Sequence, residues 1–109
     1  MIIRYVGFDK LSLPEKSDVM TLAEKYGQKL ERFFPQPDAE LMVQVKLYDE
    51  AGARIKYSVH TAVGIVRSAR GDAVAWDLRK AVRAALMKLM PELEKKASRR
   101  KAIPPKRRS

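Results

Sequence analysis

The chain has 109 residues, no cysteine and a formal net charge of +10. That length suits one domain, and the 46% of apolar residues can fill a single modest core. The missing cysteine excludes disulfide frameworks, thiolate zinc sites and thiol nucleophiles, no apolar run approaches the roughly 20 residues needed to cross a bilayer, and Met1 to Lys10 lacks the basic-then-apolar order of a signal peptide.

Met1 to Lys10 is rich in β-branched and aromatic types and reads as a strand. Ser12 and Glu15 stand at capping-box spacing, and Pro14 fits an early helical position where no amide is needed. Val19, Leu22, Ala23, Tyr26, Leu30 and Phe33 then recur at three- and four-residue steps, which predicts an amphipathic helix from Leu13 to Phe34. Pro35 and Pro37 end it. From Glu40 to Asp49 the chain alternates, with Leu41, Val43, Val45 and Leu47 on one face and Met42, Gln44, Lys46 and Tyr48 on the other. Asp49 to Gly52 reads as a hairpin turn. Arg54 to Thr61 alternates again, with Ile55, Tyr57 and Val59 on one face. A shorter strand is expected from Gly64 to Arg70, closed by Gly71-Asp72. Leu78, Val82, Ala85, Leu86 and Leu89 make the stripe of a second helix, capped by either Asp72 or Asp77. Pro91 should kink that helix or start a new turn.

The excess charge is concentrated at the end. Lys95, Lys96, Arg99, Arg100, Lys101, Lys106, Arg107 and Arg108 lie in a stretch without an acid, leaving fifteen basic and thirteen acidic residues before it. Such a tail reads as a polyanion-binding arm whose affinity falls with salt. The expected organisation is a domain over residues 1–94 and a basic tail over 95–109, disordered when free. The element order predicts an α+β fold, β-α-β-β-β-α. Its helix between the first two strands favours a parallel right-handed crossover. The expected result is a two-layer sandwich, with a four-stranded mixed sheet and both helices on one face. The other face, with Gln44, Lys46, Arg54 and Lys56, would meet solvent or a partner.

Three segments resemble the ribosome hibernation-promoting factor family, also called ribosome-associated inhibitors. Lys29-Leu-Glu-Arg-Phe-Phe34 is similar to that family's first-helix ending. The Leu41 to Tyr48 strand is similar to its alternating second strand. Asp77-Leu-Arg-Lys-Ala81-Val82 followed by Lys88-Leu89 is similar to its last helix. With the first strand, the resemblance covers about residues 1 to 90. Two segments depart from it: the stretch Gly71 to Trp76 reads as a longer loop, and Met90-Pro91-Glu92 stands where the family continues with basic residues. The resemblance implies a cytoplasmic, short-form factor that plugs the messenger and transfer-RNA channel of the small ribosomal subunit under stress. It also implies no dimerising domain. Lys29, Arg32 and Lys88 match family basic positions.

The residues make a separate case for RNA. Lys25, Lys29 and Arg32 recur at steps that place them on one helix face, and Arg79 and Arg83, with Lys80 beside them, do so on the second helix. Lys95, Lys96, Arg99 and Arg100 extend the set into the tail. Side by side, the helices would form a basic platform for phosphates of structured RNA. The competing view is an ordinary solvated helix face with weak ion pairs. No enzyme is expected: His60 is the only histidine, without a cysteine or an obvious nucleophile near it in sequence. No metal-ligand spacing or phosphate loop is present, so no metal, cofactor or small-molecule substrate is expected. Trp76 is expected to anchor the second helix against the core, with stacking on a base as the alternative. Tyr48 and Tyr57 are read as sheet-packing residues. A monomer is expected when free. The alternative functions are a double-stranded RNA-binding module and a regulatory protein-interaction domain with a nonspecific basic tail.

Overall fold

The computed structural model describes residues 1–34, 39–50, 54–64 and 69–102, and the side chains of these except 49, 50, 54 and 97–102. The strands are β1 (Ile2–Val6), β2 (Glu40–Glu50), β3 (Arg54–Gly64) and β4 (Ala69–Ala75). The helices are α1 (Leu13–Leu30), α2 (Leu78–Met87) and α3 (Leu89–Ala102). The sheet order is β1-β2-β3-β4. β1 pairs parallel with β2, and β2, β3 and β4 form an antiparallel meander. The fold is the expected α+β sandwich, with α1 and α2 on one face of the sheet.

Alternation fixes which face is covered. Leu41, Val43, Val45, Val59, Thr61, Val63 and Ala69 are buried on the helix side, against Val19, Ala23, Leu30, Leu78, Val82, Leu86 and Leu89. Each β2 member of this set stands opposite a β3 member, as in Leu41 with Val63 and Val45 with Val59. Cross-strand pairing therefore stacks apolar side chains into one continuous core. Of the hairpin turn expected over Asp49 to Gly52, residues 49 and 50 belong to β2, and the rest lies outside the described residues, as do Pro35 and Pro37.

Ser12 caps α1 with both bonds of the expected capping box: its Oγ accepts from Glu15 N–H at 3.3 Å, and Glu15 Oε1 accepts from Ser12 N–H at 2.9 Å. Glu15 Oε2 also accepts from the Tyr57 hydroxyl at 2.6 Å, which ties the helix start to β3. The Ser12 amide, and then the Tyr57 hydroxyl, hold the Glu15 carboxyl below its usual range. The carboxylate in turn pushes the Tyr57 phenol up to about 12. Glu15 therefore contributes stability that is complete above its unfolded pKa of about 4.3 and is lost as pH falls through the lower folded value. Tyr57 contributes stability that is present below about 10 and is lost as pH rises through about 12. Tyr57→Phe should flatten both limbs of the melting temperature against pH. It should also remove the highest-titrating phenol from the tyrosinate absorbance curve. Unchanged limbs would refute the coupling.

Several boundaries differ from expectation. α1 stops at Leu30 and tightens into a single 3-10 turn, Glu31–Phe33, before Phe34. β3 runs on to Gly64, and the last strand is Ala69–Ala75 rather than Gly64 to Arg70. Gly71 and Asp72 are mid-strand residues, so the segment read as a long loop is mostly strand. Asp77, not Asp72, caps α2, its Oδ1 accepting from Arg79 N–H at 2.9 Å and Lys80 N–H at 3.3 Å. Pro91 is the third residue of α3, where a missing amide costs nothing, and the break falls instead at the Lys88 turn. The helix crosses Lys95, where an irregular tail was expected to begin, and continues to Ala102.

Gly71 faces α2, and a β-carbon there would lie 2.3 Å from the Ala85 carbonyl oxygen. That carbonyl is in the last turn of α2, where no later amide of the helix reaches it. The buried Thr61 hydroxyl lies 3.0 Å from it and 2.9 Å from the Gly71 carbonyl, and donates its one hydrogen between them. The inward residues of β4 are all small: Ala69, Gly71, Ala73 and Ala75. The strand is thereby shaped to receive α2 at close range.

Candidate nucleic-acid interface

α1 and α2 lie side by side and run in the same direction. Asp18, near the start of α1, meets Arg79 in the first turn of α2 at 3.6 Å. Arg32, just past the end of α1, meets Glu94 in α3 at 3.6 Å. Both pairs are exposed and contribute little stability. They do identify the flank of α1 that faces α2.

Asp18, Lys25, Lys29 and Arg32 recur at helical spacing along that flank. The other flank of α1, toward β1, carries acids. Glu31 lies 3.8 Å from the terminal ammonium of Met1, and Glu24 lines a concavity with Met1, Ile3, Gln28 and Glu31. Burial, and then the Glu24 carboxylate, push the Tyr5 phenol above its ordinary value, which places that charge over β1. From its middle onward α1 thus carries Glu24 and Glu31 toward β1 and Lys25, Lys29 and Arg32 toward α2, while Asp18 near its start also faces α2.

α2 answers with Arg79 and Arg83 on its near flank and Lys80 on its outer surface. Lys25, Lys29, Arg32, Arg79, Lys80 and Arg83 are all exposed. The Lys29 ammonium lies 5.1 Å from the centre of the Tyr26 ring, and the Arg32 guanidinium 4.9 Å from that of Phe33. These contacts pin the long side chains near the C-terminal end of α1, where the helix dipole favours cations. Lys95 and Lys96 are exposed on α3. The side chains of Arg99 and Arg100 lie outside the described residues.

Lys88 does not join this seam. Its Nζ donates to the Asp72 carbonyl, which turns it toward the β4 edge, on the side of α2 away from α1. Its role here is to hold the helix break against the last strand. Trp76 also departs from expectation. It is not packed under α2 but lies on the uncovered face of the sheet, 42% exposed, with the Lys56 ammonium 5.3 Å from its ring centre. Tyr57 is a packing residue with a hydrogen bond, whereas Tyr48 is half exposed on the open face.

Sequence proximity alone did not reveal the surroundings of His60. Its Nδ1 lies 2.5 Å from Asp72 Oδ1, and its Nε2 lies 3.4 Å from Ser58 Oγ. This is a serine–histidine–aspartate row on the open face. β3 is bonded on both edges there, to Lys46 on β2 and Val74 on β4. Ser58 and His60 thus stand in the middle of the ladder, with a paired strand on either side. The row gives the Asp72 carboxylate a hydrogen-bonding neighbour on that face.

Among the described residues, no group of three or more His, Cys, Asp or Glu could hold a metal ion. None of the described helices is long and apolar enough to cross a membrane. Comparison with models of known protein families finds no match, and no curated protein matches the chain.

Proposed function

We propose that this protein is a ribosome-associated translation inhibitor. It binds ribosomal RNA of the small subunit at the messenger and transfer-RNA channel and promotes hibernation under stress. The observation that carries this reading is the seam between α1 and α2. Lys25, Lys29, Arg32, Arg79 and Arg83 line it, with Asp18 paired to Arg79 and Glu94 to Arg32, and the Glu24 and Glu31 carboxylates stand on the far flank of α1. A rigid cationic ridge of this kind matches the phosphates of folded RNA, where backbone contacts and shape dominate over base reading. Inhibition then needs no chemistry, because a bound domain excludes other occupants from the same channel. The element order supports the resemblance drawn from the sequence. The leading strand, hydrogen-bonded in parallel to β2, separates this fold from the α-β-β-β-α layout of double-stranded RNA-binding modules.

The test is co-sedimentation with purified small subunits, for the full chain and for a chain ending at Glu94, across a salt series. The shorter chain keeps the buried Leu89 and Leu93 and the Arg32–Glu94 pair. It should still bind saturably, with lower affinity and a shallower dependence on salt. Binding that disappears with residues 95–109, or that never saturates, would reduce the interaction to a generic basic arm.

A further inference from the structure

The uncovered face of the sheet is built differently from the helix seam. In the row at one end, Tyr48 on β2 pairs with Lys56 on β3. Trp76 follows Ala75, which pairs with Tyr57, and so stands on the other side of Lys56. Two strand spacings, about 10 Å, separate the aromatic positions. Tyr48 is 48% and Trp76 42% exposed, and Val74 in the neighbouring row is 56% exposed. Farther along, Gln44, Lys46, His60, Arg70 and Asp72 are among the residues that line a shallow concavity of about 240 Å³.

Basic residues outnumber acidic ones among the described side chains of this face. Where side chains are described, its bases are Arg4, Lys46, Lys56 and Arg70, and its acids are Glu40 and Asp72. Glu40 already meets Arg4 at 3.6 Å, and Asp72 meets His60. A flat surface with two exposed rings flanking a lysine, followed by a depression that holds Lys46 and Arg70 beside the His60–Asp72 pair, suits unpaired bases joined by a phosphate backbone. An A-form duplex does not fit it, because paired bases are closed to stacking and the deep groove of duplex RNA excludes side chains.

We propose that the open sheet face binds single-stranded RNA. Bases stack on Trp76 and Tyr48, and the backbone runs past Lys56 toward Lys46 and Arg70. The Lys56 ammonium, held over the Trp76 ring, is placed to meet a phosphate at the edge of a stacked base. This proposal takes only its partner class, RNA, from the reading above. It assigns a second surface, on the opposite side of the molecule from the helix seam.

Trp76 is the only tryptophan, so fluorescence excited selectively at tryptophan reports on this face alone. The full chain is titrated with an oligouridylate and with an RNA duplex of equal length. The oligouridylate should quench Trp76 saturably and the duplex should not. Quenching should persist when Lys25, Lys29 and Arg32 are replaced by glutamate. Tyr48→Ala should weaken oligouridylate binding about tenfold, as loss of one stacked base does, and Tyr48→Phe should restore it. A flat Trp76 signal while fluorescence anisotropy shows the oligouridylate bound would overturn the proposal. So would an equal response to the duplex, or quenching lost with the helix-seam variant. Failure here with intact sedimentation on small subunits removes only the sheet surface. Quenching without sedimentation removes only the ribosomal reading.

Discussion

Replacing Lys25, Lys29 and Arg32 together by glutamate is expected to lower affinity for the small ribosomal subunit by about 100-fold at moderate salt. The slope of log affinity against log salt should fall by roughly two to three, near one unit for each phosphate no longer neutralised. All three side chains are exposed, and among the described residues the ion pair that the substitutions break is Arg32 with Glu94 at 3.6 Å. An exposed pair of that kind contributes at most about 1 kcal/mol, so the variant should fold, which far-ultraviolet circular dichroism checks. Lys88→Glu is the informative companion. Lys88 faces the β4 edge through its bond to the Asp72 carbonyl, so its replacement should cost stability more than affinity. A triple variant that binds within threefold of the parent would rule out the helix seam as the binding surface. A Lys88 variant with the larger binding defect would move the interface to the β4 edge.

Gly71→Val should be the most damaging single change to the fold. Its β-carbon would meet the Ala85 carbonyl oxygen at 2.3 Å and the Lys88 β-carbon at 3.1 Å. Neither can retreat without moving the end of α2 off β4. The same movement would strip the Ala85 carbonyl of the Thr61 hydroxyl at 3.0 Å. Overpacking with loss of a buried hydrogen bond costs about 3 kcal/mol or more, which for a domain of this size lowers the melting temperature by roughly 10 to 20 °C. Thr61→Val, which replaces the hydroxyl by a methyl group, should cost about 1 to 2 kcal/mol. Thermal unfolding by circular dichroism measures both. A Gly71→Val protein melting within a few degrees of the parent would mean that α2 is not seated on β4 as described.

The open face recasts the aromatic residues. Trp76, expected to serve the core, stands in the open with Lys56 above it, and Tyr48 stands on the far side of that lysine. Gly7 shows why β2 keeps its own edge at that end. Its φ of +80° turns the chain away after β1, and any β-carbon there would strike the Val45 carbonyl at 2.2 Å. β1 therefore ends opposite Gln44, while β2 continues to Glu50.

The element order, the inward face of β2 and β3, and the capped start of α1 were all legible in the amino-acid order. Alternation of Leu41, Val43, Val45 and Leu47 admits one covered face, and Ser12 with Glu15 satisfies a helix start through bonds three residues apart. The charged spacing of α1 was legible too, because a helix repeats its faces by geometry alone. The position of β4 was not. Its inward side chains are small because α2 presses on them, so its covered face carries none of the β-branched residues that mark a strand in sequence. Nor could spacing decide that Lys88 turns to Asp72, that Trp76 faces outward, or that His60 finds Ser58 and Asp72. Each depends on which strand lies beside which, and on the close approach of one helix. Local sequence sets periodicity and caps, whereas the identity of a neighbour across the sheet exists only once the layers have packed.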